Sequence, residues 1–288
     1  MSSIRQIIEM TYPLLKIENL NVEFRNHAGN STQAVRDVSF SLGQERLGIV
    51  GESGSGKSTV GRAILSLIPP SGKIKAEKIA LNGVDLQKLS ELEMRKIRGN
   101  KISMIMQDPK HALNPVMRVG DQIAEAFRLH NNIAHSKAKQ KVFDILKDVQ
   151  IRDPERVYRA YPHELSGGMG QRVMIAMMLI PDPNLLIADE PTSALDVTVQ
   201  MQILAIIDDL VREKGMGLIF ISHDLNLMAS FCDRVLIMYA GRIVEECRAS
   251  ELAQAKHPYT KGLLACLPMV ENSDQKLTTL NRDPAWLE

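Results

Sequence analysis

The chain has 288 residues, of which 44% are hydrophobic and 24% charged, with a formal net charge of +1. That is an ordinary globular profile with enough length for a sizeable core, as one large domain or two smaller ones. The near-neutral balance gives no global electrostatic reason to expect a nucleic acid partner, and the absence of repeats and low-complexity tracts argues against solenoids and linker-joined arrays.

The opening stretch, MSSIRQIIEMTYPLLKIENL, has no basic region followed by an unbroken apolar run, because Glu9 and Pro13 interrupt it, so no signal peptide is expected. Residues 14–24, LLKIENLNVEF, alternate apolar and polar like a half-buried strand. RLGIV at 46–50 is a continuous apolar run, as in a buried parallel strand, and it leads straight into GESGSGKS at 51–58. This fits the spacing G-x-x-x-x-G-K-[ST], and the apolar-faced VGRAILSLI that follows supplies the expected helix. In such a loop glycines let the backbone bend round a β-phosphate with its N–H groups inward. Lys57 would reach the β/γ oxygens and the Ser58 hydroxyl would ligate Mg²⁺, so a triphosphate is the expected ligand.

ISMIM (102–106) ends another strand beside Gln107, whose amide could touch both metal and water. From about 108 to 165 strand signals vanish, which suggests an all-α insertion between two halves of an α/β core. Within it SKAKQKVFDILKDV (136–149) places Ala138, Val142, Ile145 or Leu146, and Val149 on one face. LSGGMGQ at 165–171 then opens a helix whose N-terminal N–H groups and partial positive charge suit a phosphate, while Ser166 also fits as a plain N-cap. The apolar run VMIAMMLI (173–180) stops at Pro181, well short of the roughly 20 residues a bilayer needs.

LLIAD (185–189) resumes the core and ends in two carboxylates, Asp189 and Glu190, which alternate sides along a strand. Such a pair often caps the next helix. Joined to the loop at 51–58, it reads better as an Mg²⁺-associated Asp189 and a Glu190 that polarises an attacking water. VTVQMQILAIIDDL (197–210) is helical, with Val199, Ile203, Ile206 and Leu210 on one face. GLIFIS (217–222) delivers His223 at a strand end, where α/β sheets bind ligands, although a lone histidine is usually structural. The polar tail from about 270 carries Trp286, expected to pack on the domain. Cys232, Cys247 and Cys266 are too scattered for a metal pair and too few for a disulfide framework.

Taken in order, the glycine loop, Gln107, LSGGMGQ, LLIADE, SALD (193–196) and His223 resemble the ATP-binding subunits of ABC transporters over nearly the whole chain. The resemblance implies an α/β fold: a P-loop NTPase core with a mainly parallel sheet, an N-terminal antiparallel β part and an α-helical signature subdomain. It divides the chain into 1–107 and 181–268 as the two core halves, 108–180 as the helical subdomain, and 269–288 as a polar tail. It assigns ATP contacts to Gly51, Ser53, Gly54, Ser55, Gly56, Lys57, Ser58 and Thr59, and Mg²⁺ to Ser58, Gln107 and Asp189. Gln107 would sense the γ-phosphate, Glu190 act as catalytic base, and His223 clamp the γ-phosphate. Phe24 would stack on adenine, with a core role as the alternative.

In that family two subunits face each other head to tail. Ser166, Gly167 and Gly168 would therefore close on ATP held by a second ATPase subunit, a paralogue or another copy, and Asp196 would bridge the dimer. QDPKHALNP (107–115) and HPYTKGLLACLP (257–268) are similar to the peptide, nickel and opine importers of bacteria. This implies two membrane permease subunits, an extracytoplasmic binding protein acting through them, and a place on the cytoplasmic face of the cell membrane. Several such relatives hold an iron–sulfur centre after the HPYT segment, but with only Cys266 there no cluster is expected. Gly170 departs from the basic or long polar residue common at its position. A soluble ABC protein of repair or translation, or a P-loop kinase or GTPase, is the alternative, without the coiled coils, zinc modules or guanine-reading sequence those would bring.

Overall fold

The computed structural model describes residues 13–25, 30–193, 195–266 and 286. The leader reading of the first residues and all of the expected tail except Trp286 lie outside the described residues. So does Ala194 within SALD.

The described residues open with antiparallel strands β1 (Leu15–Arg25) and β2 (Ser31–Leu42). β2 buries Val35, Val38, Phe40 and Leu42, and its alternation slips at Asp37, which has φ 53° and sits at an irregularity of the β1–β2 register. β3 (Arg46–Val50) is buried almost throughout and feeds α1 (Lys57–Ile64). β4 (Gly72–Lys75), β5 (Lys78–Leu81) and β6 (Val84–Asp85) complete the antiparallel sheet, with β4 and β5 both paired to β1.

α2 (Glu91–Ile97) starts at a capping box between Ser90 and Glu93, and β7 (Ile102–Ile105) follows. The helical run expected from 108 consists of α3 (Pro109–Ala112), α4 (Val119–Arg128), α5 (His135–Asp148), α6 (Pro154–Arg159) and α7 (Gly167–Leu179). Ile145 and Leu146 are both buried on α5, together with Ala138 and Val142 and with Val149 at its cap, so the apolar face is broader than one stripe.

β8 (Leu185–Asp189) and α8 (Val197–Lys214) come next, α8 running four residues past its expected end to stop at Gly215, which caps it at φ 60°. β9 (Gly217–Ser222), α9 (Leu225–Phe231), β10 (Arg234–Tyr239), β11 (Arg242–Arg248) and α10 (Pro258–Ala265) finish the described chain.

Two compact units result. The first holds residues up to Gln87 and from Ile219 on, with the antiparallel sheet and the neighbouring strands β11, β10, β3 and β9, of which β3 and β10 are parallel. The second, Lys88–Leu218, holds the helical run and the parallel pair β7 and β8. No described helix is long and apolar enough to cross a membrane.

Candidate active site

In the first unit the loop after β3 is shaped by its glycines. Gly51 has φ 157°, and a Cβ there would lie 2.1 Å from the Met238 carbonyl oxygen. Gly56, at φ 101°, leaves only 2.4 Å between such a Cβ and the Ala34 carbonyl oxygen. No side chain fits at either position, so the loop is pressed flat against β2 and β10.

Lys57 is buried to 4% exposure and donates from Nζ to the carbonyls of Gly51 and Glu52, each at 2.8 Å. The ammonium is thus held within the curl of the loop. Ser53 and Gly54 are exposed, Ser58 and Thr59 half-buried. The Ser55 hydroxyl is buried with no hydrogen-bond partner, a polar atom that a phosphate oxygen would satisfy. Half-buried Phe24 packs its ring edge on Gly72, where a Cβ would come within 2.9 Å of the ring. His223 is exposed directly after β9.

In the second unit β7 and β8 run parallel with Ile105 opposite Ala188, so Gln107 and Glu190 leave neighbouring strands at the same end. The structure brings them together: Gln107 Nε2 donates to Glu190 Oε2 at 3.2 Å and reaches Ser193 Oγ at 3.4 Å. Ser193 in turn donates to the Glu190 carbonyl at 3.2 Å. Asp189 is buried to 4% exposure, while Glu190 adopts φ 47°, left-handed backbone that is costly for a residue with a side chain. The two carboxylates are therefore separated by a break in the strand as well as by strand alternation. The buried Gln171 donates from Nε2 to the Pro191 carbonyl, tying α7 to this turn. Ser193 and Gln171 escaped the sequence reading, although Ser193 opens the quoted SALD.

Ser166 caps α7, accepting from the Met169 amide at 3.4 Å, and remains exposed. Both readings of this serine are compatible, since a capping hydroxyl can still meet a ligand. Gly167 faces open space, its nearest neighbour being Leu195 at 4.0 Å from a built Cβ, whereas at Gly168 a Cβ would lie 2.9 Å from Val199. The signature turn thus packs on the turn that Asp196 caps, where Asp196 Oδ1 accepts from the Val199 amide at 3.0 Å.

A glycine loop with a buried lysine, and a buried aspartate beside a glutamate and glutamine at the ends of parallel strands, define a P-loop NTPase. Ser58, Gln107 and Asp189 offer hydroxyl, amide and carboxylate oxygens, the donor chemistry that Mg²⁺ prefers.

Comparison with known proteins gives the family. Residues 35–193 match the model of the ABC transporter family. The chain is 48% identical over 275 residues to the oligopeptide transport ATP-binding protein OppD of Bacillus subtilis, covering 94% of this chain and 76% of the relative. It is 45% identical to the dipeptide transport ATP-binding protein DppD of Escherichia coli, covering 93% and 82% of the two chains. Among solved structures it resembles the ATP-binding cassette MJ0796 in a dimeric post-hydrolysis state with ADP and Pi. There the TM-score is 0.73 and the identity 26%, over 82% of this chain and 98% of that one. The chain belongs to the ABC transporter family, and it is an ATP hydrolase of that family.

Proposed function

We propose that this chain is the ATPase subunit of a peptide importer, working on the cytoplasmic face of the membrane with two permease subunits and a second ATPase subunit. The observation that carries this reading is the extent of its likeness to OppD and DppD, both named for peptide transport, over nearly its whole length. Nickel, metal chelates and opines remain as substrates of similar systems, but the relatives found favour peptides.

In this reading Gly51, Ser53, Gly54, Ser55, Gly56, Lys57, Ser58 and Thr59 bind the ATP phosphates, and Phe24 faces the adenine. Ser58, Gln107 and Asp189 hold Mg²⁺, which when bound offsets the negative charge of the phosphates. Glu190 takes the proton of the attacking water, Gln107 orients that water, and His223 contacts the γ-phosphate. Gln107 already donates to Glu190 Oε2, which sets the direction of the carboxylate. Ser166, Gly167 and Gly168 close over the ATP of the second subunit, and Asp196 lies in the same interface. Closure and release of the two ATPases drive the permeases through the helical subdomain 108–180, between the core segments 1–107 and 181–268, a rigid-body switch of two states.

The test is purification of the tagged chain from its own cells in mild detergent, with mass spectrometry of what accompanies it and uptake assays with labelled dipeptides and longer peptides. Two membrane proteins, a second ATPase and lost peptide uptake on deletion are expected. Soluble partners alone would overturn the transport reading in favour of a non-transport ABC protein.

A further inference from the structure

Outside residues 35–193, one side chain reaches the phosphate loop from the far end of the sequence. Tyr259, on the first turn of α10, is fully buried, and its hydroxyl accepts from the backbone N–H of Glu52 at 3.1 Å. That N–H belongs to the same peptide group as the Gly51 carbonyl, which accepts from Lys57 Nζ at 2.8 Å. A continuous hydrogen-bonded path therefore runs from the Lys57 ammonium through one peptide unit to the Tyr259 hydroxyl. Each bond polarises that peptide in the sense that strengthens the other.

The tyrosine is held in place from three sides. On β11, Glu245 accepts from the Lys256 amide at 2.6 Å and the His257 amide at 3.2 Å, fixing the start of α10. His257 Nδ1 accepts from the Tyr259 amide at 3.2 Å. The Tyr259 ring packs at 4.5 Å on Tyr239 and at 5.7 Å on Trp286. Tyr239 directly follows Met238, whose carbonyl is the group that Gly51 must be a glycine to approach. The aromatic cluster and the floor of the loop are thus built from consecutive residues of β10.

We propose that Tyr259 is a positioning residue of the nucleotide site: by holding the Gly51–Glu52 peptide it sets where the Lys57 ammonium stands, and it couples the loop to Trp286. This rests on the reading of residues 51–58 as the ATP loop.

The experiment is calorimetric titration of the full chain with MgATP for wild type, Tyr259→Phe, Tyr239→Phe and Lys57→Ala, together with Trp286 emission, which is unambiguous because Trp286 is the only tryptophan. Tyr259→Phe keeps the ring and removes one acceptor. Its Kd for MgATP should rise about tenfold, because the released Gly51–Glu52 peptide must be ordered again on binding, with unchanged stoichiometry, while Tyr239→Phe binds like wild type. MgATP should shift Trp286 emission in wild type. A Kd for Tyr259→Phe within about twofold of wild type, or fewer binding-competent molecules at unchanged Kd, would overturn the proposal and leave Tyr259 a packing residue. If Tyr259→Phe fails to fold, the wild-type emission decides, and no shift on binding overturns the coupling. Lys57→Ala separates the two readings: should it bind MgATP like wild type, the loop assignment falls and this proposal with it. Should it lose binding while Tyr259→Phe keeps it, only the proposal falls.

Discussion

The Gln107 side-chain amide donates to Glu190 Oε2 at 3.2 Å, joining residues 83 positions apart at the ends of two adjacent parallel strands. The contact holds a carboxylate whose backbone, at φ 47°, is already in a strained region. Strain of this kind persists where the surroundings over-determine it, here through Gln107, Ser193 and the Gln171 bond to Pro191. If Glu190 is the base, Glu190→Gln should keep nucleotide binding and lower ATP turnover by about 10²–10⁴-fold. Steady-state phosphate release alongside MgATP titration checks this, and near-normal hydrolysis would remove Glu190 from the role.

The signature turn separates capping from ligand contact. Ser166→Arg puts a long cation on an exposed helix start where only a hydroxyl stood, so if Ser166 meets the ATP of a second subunit as proposed, hydrolysis should stop while the isolated chain still binds nucleotide. Gly167→Ala provides the finer probe, because a methyl there meets nothing closer than Leu195 at 4.0 Å and should leave the fold intact. Loss of turnover at unchanged thermal midpoint is the expected pair of results. Loss of nucleotide binding by the isolated Ser166→Arg chain would instead place the signature within its own chain's site.

What the sequence made legible follows from pattern. Apolar runs at 46–50, 185–189 and 217–222 read as buried strands because nothing polar interrupts them, and each is one. β2 was not legible, because the slip at Asp37 breaks its alternation between Val35 and Val38. β10, RVLIMY, carries the same apolar signal as those strands, but no motif stands at its end to mark it. In the site, residue types and order announced the loop, the carboxylate pair and the signature. The left-handed backbone of Glu190 had no cue, since it is not a glycine. The reach of Tyr259 to Glu52, 207 residues away, is a product of tertiary packing that no local pattern encodes.

Acid should loosen the anchor of α10 through Glu245. Burial alone would push its carboxyl up, but the Thr260 hydroxyl and the amides of Lys256 and His257 outweigh it and hold the carboxyl below its ordinary value of 4.5. Between the folded and unfolded values the unfolded chain binds the proton and the folded one does not, so stability rises with pH there. The contribution is complete above 4.5 and is lost as pH falls through the lowered folded value. Thermal unfolding followed by Trp286 emission from about pH 3 to about pH 7 should show a shallower acid limb for Glu245→Gln than for wild type, and a lower midpoint near neutrality. Parallel limbs would mean that Glu245 is not a source of the acid sensitivity.

Gly170, like Gly167, is a glycine of the signature helix that its own geometry does not require. It is buried in α7, its φ is not positive, and a Cβ there would meet Pro109 at 3.8 Å, an ordinary contact. By contrast a Cβ at Gly168 would come within 2.9 Å of Val199, whose branched side chain would have to move. Glycine in a helix interior costs about 1 kcal/mol relative to alanine, mainly through the freedom it loses on folding. Gly170→Ala should therefore raise the thermal midpoint by about 2 °C and leave MgATP affinity unchanged, while Gly168→Ala should lower the midpoint. Differential scanning calorimetry of the two variants against wild type decides between them. A lower midpoint for Gly170→Ala would show that the small residue serves packing on α3 that a methyl disturbs. A raised midpoint with slowed turnover would show instead that the looseness of this helix is used in the catalytic cycle.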